Sequence, residues 1–167
     1  MPGVLHLMCG KIAAGKSTLA ARLAEAPDTI LLSEDHLLAR LYPGEIAALA
    51  DYARCAGRLR EAIGPHIQAL LRAGLTVVLD FQTNTLATRA WSRTLFEGAE
   101  ADHILHYLRM DDETCRARLR ARNAAGTHEH AASDADYDLF TSRFVEPGET
   151  EGFRILVHDA GARTSPG

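Results

Sequence analysis

The chain has 167 residues, which is enough for one domain with a buried core and too few for two ordinary domains. Hydrophobic residues make up 47% and charged residues 24%, and the net charge of −4 argues against a broad surface for duplex nucleic acid without excluding a nucleic-acid partner. There is no apolar run of the 18 or more residues that a membrane span needs, so we expect a cytoplasmic protein with no membrane contact.

Short apolar runs alternate with helical patterns along the whole chain. We predict strands at residues 4–9, 29–32, 75–80, 103–110 and 153–159. Helical patterns cover residues 16–26, 36–42, 45–73, 87–98, 112–123 and 134–144. We expect the third helix to break near Gly64 and Pro65, because proline inside a helix removes a hydrogen bond.

This alternation predicts an α/β fold in which a five-stranded parallel sheet carries helices on both faces. No repeat or linker divides the chain, so we expect one domain over residues 1–160 and a frayed tail at residues 161–167. Cys9, Cys55 and Cys115 are odd in number and scattered, which favours free thiols in a reducing cytoplasm.

Residues 10–18, GKIAAGKST, match the P-loop pattern G-x-x-x-x-G-K-[ST] between a predicted strand and a predicted helix. Glycines allow consecutive backbone N–H groups to approach phosphate oxygens closely. We expect Lys16 to contact the outer phosphates of ATP and the Ser17 hydroxyl to bind Mg²⁺. The predicted nucleotide-binding residues are Gly10, Lys11, Ala13, Ala14, Gly15, Lys16, Ser17 and Thr18.

A P-loop alone does not distinguish GTPases, motor ATPases and kinases. Asp80 ends the most apolar predicted strand and is our candidate for a second Mg²⁺ ligand, with a helix cap or loop turn as the alternative. The next residue is Phe81, where motor ATPases usually place a glutamate that activates water, and no N-K-x-D sequence typical of GTPases follows the loop. These features favour phosphoryl transfer over hydrolysis.

Two adjacent carboxylates follow the second predicted strand, on the same side of a parallel sheet as the P-loop. Glu34 or Asp35 could accept the proton of an acceptor hydroxyl that attacks the γ-phosphorus, or contact that acceptor. The alternative is structural, because Ser33, Glu34 and Asp35 all suit the first turn of a helix. The residues alone do not separate these possibilities.

Four arginines occur in the helical segment CRARLRARN. At 100° per residue, Arg122 falls within about 20° of Cys115 and Arg118 about 60° from it, on the core-facing side. These two arginines are our candidates to stabilise charge on a transferring phosphoryl group. Arg116 and Arg120 are expected to face solvent or a neighbouring element.

Two further segments are candidates for the substrate side of the site. Residues 123–133 contain Gly126 and few apolar anchors, so they could form a short lid that excludes water or a plain mobile loop. Arg89 and Arg93, one turn apart after the third strand, could contact an acceptor or lie on an exposed helix face.

The chain resembles small P-loop kinases, specifically AAA_33-type ATP-binding proteins related to zeta toxins and chloramphenicol phosphotransferase. The resemblance runs through LMCGKIAAGKST, SEDHLL, VVLDFQTNT, LHYLRMDDETCRARLRARN and EPGETEGFRILVH. It implies a three-layer P-loop fold with strand order 2-3-1-4-5, a base that maps onto Asp35, and lid-proximal arginines that match Arg118 and Arg122. The insertion and arginine-rich lid of nucleotide monophosphate kinases are not evident.

These features together predict an ATP- and Mg²⁺-dependent phosphotransferase that acts on a hydroxyl of a small molecule. The acceptor could be a nucleoside, a sugar or nucleotide sugar, or an antibiotic. A 5′-hydroxyl polynucleotide kinase and a non-catalytic nucleotide-dependent switch are the alternative functions. The resemblance to zeta toxins also leaves open an antitoxin-like protein partner.

Overall fold

The structure is a computed structural model that describes residues 1–126 and 131–159. The predicted tail at residues 161–167 and the centre of the predicted lid, residues 127–130, lie outside the described residues. No described helix is both long enough and apolar enough to cross a membrane.

Strands and helices alternate as the sequence pattern predicts. The strands are β1 (Val4–Cys9), β2 (Thr29–Ser33), β3 (Thr76–Gln82), β4 (Asp102–Arg109) and β5 (Ile155–Asp159). The α-helices are α1 (Lys16–Leu23), α2 (Glu34–Leu41), α3 (Leu49–Arg72), α4 (Leu86–Ala99), α5 (Asp112–Ala125) and α6 (Asp134–Arg143). A short 3-10 helix covers Glu149–Glu151. All five predicted strands are present.

The five strands form one parallel sheet with the order β2-β3-β1-β4-β5. This order confirms the one implied by the resemblance. β1 is the central strand. The chain runs from β1 to β2 and β3 on one side of it and then crosses to β4 and β5 on the other, so the strand order reverses at β1. A crevice therefore opens at the carboxyl end of β1, where ligands bind in sheets of this kind and where the P-loop begins.

Helices cover both faces of the sheet, which gives three layers. Leu5, Leu7 and Cys9 of β1 pack into the core beneath α2, α3 and α4. Met8 points the other way, into the core shared with α1, α5 and α6. Side chains alternate across a strand, so an apolar strand such as β1 supplies both cores at once.

The predicted break at Gly64 and Pro65 is wrong, because α3 is continuous through both residues. Pro65 lies on the exposed side of the helix, where water can solvate the carbonyl that loses its partner. Gly64 is buried against α4, where an added Cβ would lie 3.6 Å from Leu95 Cδ2 and 3.8 Å from Trp91 Nε1. The glycine therefore allows two helices to pack closely.

The pairing of β1 with β3 slips near the site. Leu7 pairs with Leu79, but the next residue, Met8, pairs with Gln82. Asp80 and Phe81 are thus extra residues in β3, which is the arrangement of a β-bulge. Bulges redirect side chains at strand ends and are common beside active sites.

Candidate active site

A cavity of about 540 Å³ opens beside the carboxyl ends of β2 and β3 and the start of α1, within the usual size range of small-molecule sites. Its lining has two chemically different parts. The P-loop end is lined by Ala13, Gly15, Lys16, Ser17, Thr18, Asp80, Arg118 and Arg122. The apolar end is lined by Leu38, Tyr42, Pro43, Ile46, Tyr52 and Phe140. Glu34 and Asp35 also line the cavity.

The P-loop is held in shape by its own lysine. Lys16 Nζ donates hydrogen bonds to the carbonyl oxygens of Gly10, at 2.6 Å, and Lys11, at 2.7 Å. Burial lowers the pKa of Lys16, and the carboxylate of Asp80 opposes this shift. Gly15 has a φ of 102°, a left-handed conformation that glycine adopts without strain just before α1. The loop thus places its lysine at the cavity.

The predicted nucleotide-binding residues fall into two groups. Ala13 and the four residues from Gly15 to Thr18 line the cavity, whereas Gly10, Lys11 and Ala14 do not. Lys11 Nζ instead donates to Asp112 Oδ1 at 2.8 Å. The backbone N–H of Ala14 donates to the Lys11 carbonyl at 3.1 Å, which closes the turn inside the loop.

The two predicted metal ligands are in contact. Ser17 Oγ donates to Asp80 Oδ2 at 2.6 Å, which brings the start of α1 to the bulge at the end of β3. A hydroxyl and a carboxylate are oxygen ligands of the kind that Mg²⁺ prefers, and Mg²⁺ usually takes only one or two carboxylates from the protein. The described residues contain no group of three or more histidine, cysteine or acidic side chains that could hold a metal. The pair therefore fits Mg²⁺ shared with phosphates and water.

Asn84 holds the first glycine of the P-loop, a contact that the sequence pattern did not predict. The N–H of Gly10 donates to Asn84 Oδ1 at 2.9 Å, and Asn84 Nδ2 donates to the Gly10 carbonyl at 2.8 Å. The preceding residue, Thr83, donates from its hydroxyl to the Met8 carbonyl at 2.5 Å. The polar run after β3 was the only signal, and it is equally typical of a loop.

Glu34 is buried, and both of its carboxylate oxygens are occupied. Tyr52 donates its hydroxyl to Oε1, and Arg60 donates to Oε2 at 3.0 Å. Burial raises the pKa of Glu34, while Arg60 and the Tyr52 hydroxyl oppose the shift. Asp35 follows in the first turn of α2 and is only half-buried at the cavity. The Ser33 hydroxyl caps this helix by accepting from the N–H of His36 at 3.3 Å.

Arg118 and Arg122 both reach the cavity, as the helical geometry predicts. Arg118 Nη1 lies 3.8 Å from the position that a Cβ on Gly15 would occupy. Arg122 Nε is buried and has no hydrogen-bond partner among the residues that the structure describes. Burial lowers the pKa of Arg122, and the nearby Asp35 opposes the shift. An unpaired buried guanidinium nitrogen here is suited to an anionic group in the cavity.

The other two arginines of α5 do not line the cavity and instead pair with carboxylates of α6. Arg116 pairs with Asp138 at 2.5 Å, and Arg120 pairs with Asp134 at 3.2 Å.

The predicted lid covers residues 123–133, and only its two ends are described. Asn123 Nδ2 at one end donates a hydrogen bond to the Ala132 carbonyl at the other, at 2.6 Å. Its closure stays a prediction.

Arg89 and Arg93, the candidate acceptor contacts, do not line the cavity. Arg89 is fully buried and donates to Glu151 Oε1 at 2.7 Å and to the Thr83 carbonyl at 3.0 Å. Arg93 stacks over the Phe153 ring at 4.8 Å. The two hydrogen bonds of Arg89 connect the segment before β5 to the loop that contacts Gly10.

The aromatic side chains of the apolar end were not foreseen. Tyr52 on α3 and Phe140 on α6 meet edge to face, with ring centroids 5.5 Å apart. Tyr42 lines the cavity just after α2. Because these residues lie on three separate segments, no spacing in the sequence indicates that they converge.

The sequence matches the model of the AAA_33 family, described as an AAA domain, over residues 5–147. No curated protein is detectably similar in sequence.

Several solved structures share the fold. Kti12 of Chaetomium thermophilum in complex with ADP-AlF3 is 16% identical, with a TM-score of 0.71 over 96% of this chain and 91% of that one. The APS kinase CysC of Mycobacterium tuberculosis, in complex with AMPPNP and APS, is 19% identical, with a TM-score of 0.62 over 98% and 91% of the two chains. A gluconokinase from Sinorhizobium meliloti 1021 is 18% identical, with a TM-score of 0.62 over 96% and 83%.

Identities this low show the fold alone. The family match covers most of the chain, however, and it includes the P-loop, Asp35, Asp80 and both arginines of the cavity. The chain therefore belongs to the AAA_33 family and has the fold of the P-loop kinases.

Proposed function

We propose that this protein is an ATP- and Mg²⁺-dependent phosphotransferase that moves the γ-phosphate of MgATP to a hydroxyl of a small molecule. The observation that supports this most is that Lys16 and Asp35 share one cavity, and that this cavity extends into the apolar end. A hydrolase needs room for the nucleotide and a water molecule, whereas this cavity also offers an apolar chamber for a second compound.

Lys16, Ser17 and Asp80 would hold the nucleotide and its metal, and Asn84 would support the P-loop. Lys16 would turn from the carbonyls of Gly10 and Lys11 to the outer phosphates, and Asn84 would continue to donate to the Gly10 carbonyl. Ser17 and Asp80 would hold Mg²⁺, which neutralises phosphate charge when it is bound.

Asp35 would act as the general base. Its carboxylate would accept the proton of the acceptor hydroxyl while the hydroxyl oxygen bonds to the γ-phosphorus and the bond to ADP breaks. Glu34 is less suited to this step because Tyr52 and Arg60 occupy both of its oxygens. Arg122 and Arg118, which line the same cavity, would stabilise the charge of the transferring group.

Phe81 argues against water activation directly after Asp80. It is 1% exposed, and its ring stacks with that of Trp91 at a centroid distance of 6.1 Å. The position that holds a water-activating glutamate in motor ATPases is here part of the core. Transfer to another molecule therefore fits this cavity better than hydrolysis.

The test is to incubate the purified protein with ATP labelled in the γ-phosphate and a metabolite extract, and to look for a labelled product. We expect a product that is lost with Lys16→Ala. With Asp35→Asn its rate of formation should fall about 10²- to 10⁴-fold, the range for loss of a general base, while ATP affinity stays near that of the wild type. Glu34→Gln is the matched control at the adjacent carboxylate and should retain more activity than Asp35→Asn.

Two other outcomes would replace this proposal. Label on 5′-hydroxyl oligonucleotides in place of small molecules would identify a polynucleotide kinase. ATP binding with a conformational change and a captured partner, but with no labelled acceptor, would identify a nucleotide-dependent switch.

A further inference from the structure

We infer that the acceptor is an alcohol without an anionic group, either uncharged or positively charged, whose apolar or aromatic part occupies the apolar end. This inference rests on the proposed function and narrows it. It sets nucleosides, uncharged sugars and amine-bearing alcohols apart from nucleotides, sugar phosphates, sugar acids and polynucleotides.

The first argument is the placement of positive charge. Among the described residues that line the cavity, the cations are Lys16, Arg118 and Arg122. Lys16 belongs to the P-loop, and Arg118 lies next to Gly15. Arg122 lines the same cavity as Asp35, and its buried Nε has no hydrogen-bond partner among the described residues. All three are thus placed for the phosphates of ATP.

The second argument is the chemistry of the apolar end. Its six residues have no ionised side chain at neutral pH, and Ala39 and Gly44 add no polar side chain. The Tyr52 hydroxyl already donates to Glu34. A phosphate or carboxylate of an acceptor would therefore lose its water here without gaining a cation among the described lining residues, which is strongly unfavourable.

The third argument concerns Arg60, a cation that pairs with the cavity-lining residue Glu34. Arg60 is held by Glu34 at 3.0 Å, its side chain is only 16% exposed, and its guanidinium lies over the Trp91 ring at 5.9 Å. It does not line the cavity. The ion pair with Glu34 thus keeps the charge of Arg60 from an acceptor in the cavity. Asp35, the residue after Glu34, adds negative charge that repels an anion.

The same surroundings suit a neutral or cationic acceptor. Tyr42, Tyr52 and Phe140 present aromatic side chains to the cavity, and aromatic rings stack on apolar groups and attract ammonium groups. Asp35 would accept a hydrogen bond from the reacting hydroxyl. The apolar end therefore favours neutral or positively charged acceptors over negatively charged ones.

The experiment separates a metabolite extract by charge before the kinase assay. Anion exchange at neutral pH gives a flow-through of neutral and cationic compounds and a retained fraction of anions. Each fraction is incubated with wild-type protein or Lys16→Ala and an excess of ATP labelled in the γ-phosphate. A mixture of the two fractions checks that neither contains an inhibitor.

We expect Lys16-dependent labelled product to be about tenfold or more abundant with the flow-through than with the retained fraction, since an unpaired buried anion is disfavoured by at least that factor. Product from the retained fraction alone would overturn this inference and leave the phosphotransferase proposal intact. No Lys16-dependent product from the unfractionated extract would instead count against the proposed function itself.

A charge introduced at the apolar end tests the cause. Ile46→Arg adds a cation to the cavity lining, and we expect it to raise the ratio of retained to flow-through product about tenfold. Ala50→Arg adds the same charge at an exposed position outside the lining and should leave the ratio unchanged. If Ile46→Arg fails to bind ATP, Tyr42→Lys replaces it. An unchanged ratio in an ATP-binding cavity variant would contradict the inference.

Discussion

The two ends of the cavity are built in different ways. The P-loop end depends on a contiguous motif of nine residues, GKIAAGKST, in which glycines, a lysine and a serine follow one another at fixed spacing. The apolar end brings together Leu38, Tyr52 and Phe140 from α2, α3 and α6. Local geometry determines the first, and helix packing determines the second. A P-loop can therefore be identified from a short sequence motif, whereas the apolar end of the cavity cannot.

The two ends also treat charge differently. At the P-loop end, the cations Lys16, Arg118 and Arg122 line the cavity. Beside the apolar end, the charge of Arg60 is neutralised within the protein by Glu34. Cationic residues thus line the first end, whereas the residues of the second end have no ionised side chain. If the two ends are independent, a change at one end should leave the properties of the other intact.

The largest effect is expected from breaking the pair beside the apolar end. Glu34→Leu leaves the guanidinium of Arg60 buried without its carboxylate, and loss of one partner of a buried pair costs about 3 kcal/mol or more. Urea denaturation should show this loss in the free energy of unfolding. ATP affinity at the P-loop end should stay within about threefold of the wild type under native conditions, because the contacts of Lys16 are untouched.

The control replaces both partners by apolar residues of similar size. Glu34→Leu combined with Arg60→Met should recover most of the lost stability, because an apolar pair in a packed site is often as stable as the ion pair. Equal stability of the single and double variants would show that the unpaired charge is not the cause. A large fall in ATP affinity in either variant would show that the two ends are coupled.

Low pH should lower the stability of the sheet that supports both ends of the cavity. The cause is a row of three histidines that do not line the cavity. His6 Nδ1 lies 2.9 Å from His106 Nε2, and His106 Nδ1 lies 2.9 Å from His158 Nε2. His106 is 3% exposed, and burial together with its two neighbours lowers its pKa to about 4. The row crosses three strands, so its protonation would act on the sheet that supports the whole site.

The sign of this effect follows from linkage. Between the ordinary histidine pKa and about 4, the unfolded chain binds a proton at position 106 that the folded protein does not bind. The free energy of unfolding should therefore decrease as the pH is lowered. For His106 alone, the decrease from pH 7 to pH 5 should be about 2 kcal/mol. Urea denaturation at the two pH values measures it. His106→Leu should flatten this dependence, whereas His66→Asn, at an exposed histidine, should preserve it.

The smallest expected effect tests the hold of Asn84 on the P-loop. Asn84→Leu removes both hydrogen bonds to Gly10. We expect ATP to bind about tenfold more weakly, because a lost buried hydrogen bond typically costs about 1 kcal/mol or more and the loop becomes less ordered. Isothermal titration with a non-hydrolysable ATP analogue measures the change.

Thr83→Val is the matched control for Asn84→Leu. It removes a buried hydroxyl that donates to Met8 in β1, which precedes the loop. It should lower the free energy of unfolding by about 1 kcal/mol and leave ATP affinity nearly unchanged. Equal losses of affinity in the two variants would mean that Asn84 supports the fold and not the P-loop in particular.

The sequence was informative wherever residues act through their neighbours in the chain. The apolar runs predict all five strands of the described residues, and the P-loop pattern places Lys16 and Ser17 at the start of α1. The period of a helix separates Arg118 and Arg122 from Arg116, since one turn sets which side each faces. The strand order came from a resemblance and not from any local pattern.

The failures occur where packing overrides local preference. Pro65 and Gly64 indicate a break, but α3 is continuous, with Pro65 on its exposed side and Gly64 buried against Trp91 and Leu95 of α4. Arg89 has the pattern of a surface arginine and is buried, because Glu151 supplies a carboxylate from 62 residues away. The structural propensity of an arginine carries no information about a partner so far away in the chain.

What the sequence determined by itself is the alternation of strands and helices and a motif that binds phosphate, because both depend on residues within about one turn or one strand of each other. The tertiary structure decided the rest. It placed Asp80 in a bulge against Ser17, bound Glu34 to Arg60 and Tyr52, and left Asp35 at the cavity. These choices depend on contacts between segments far apart in the chain, and only the packing of the folded sheet and helices establishes those contacts.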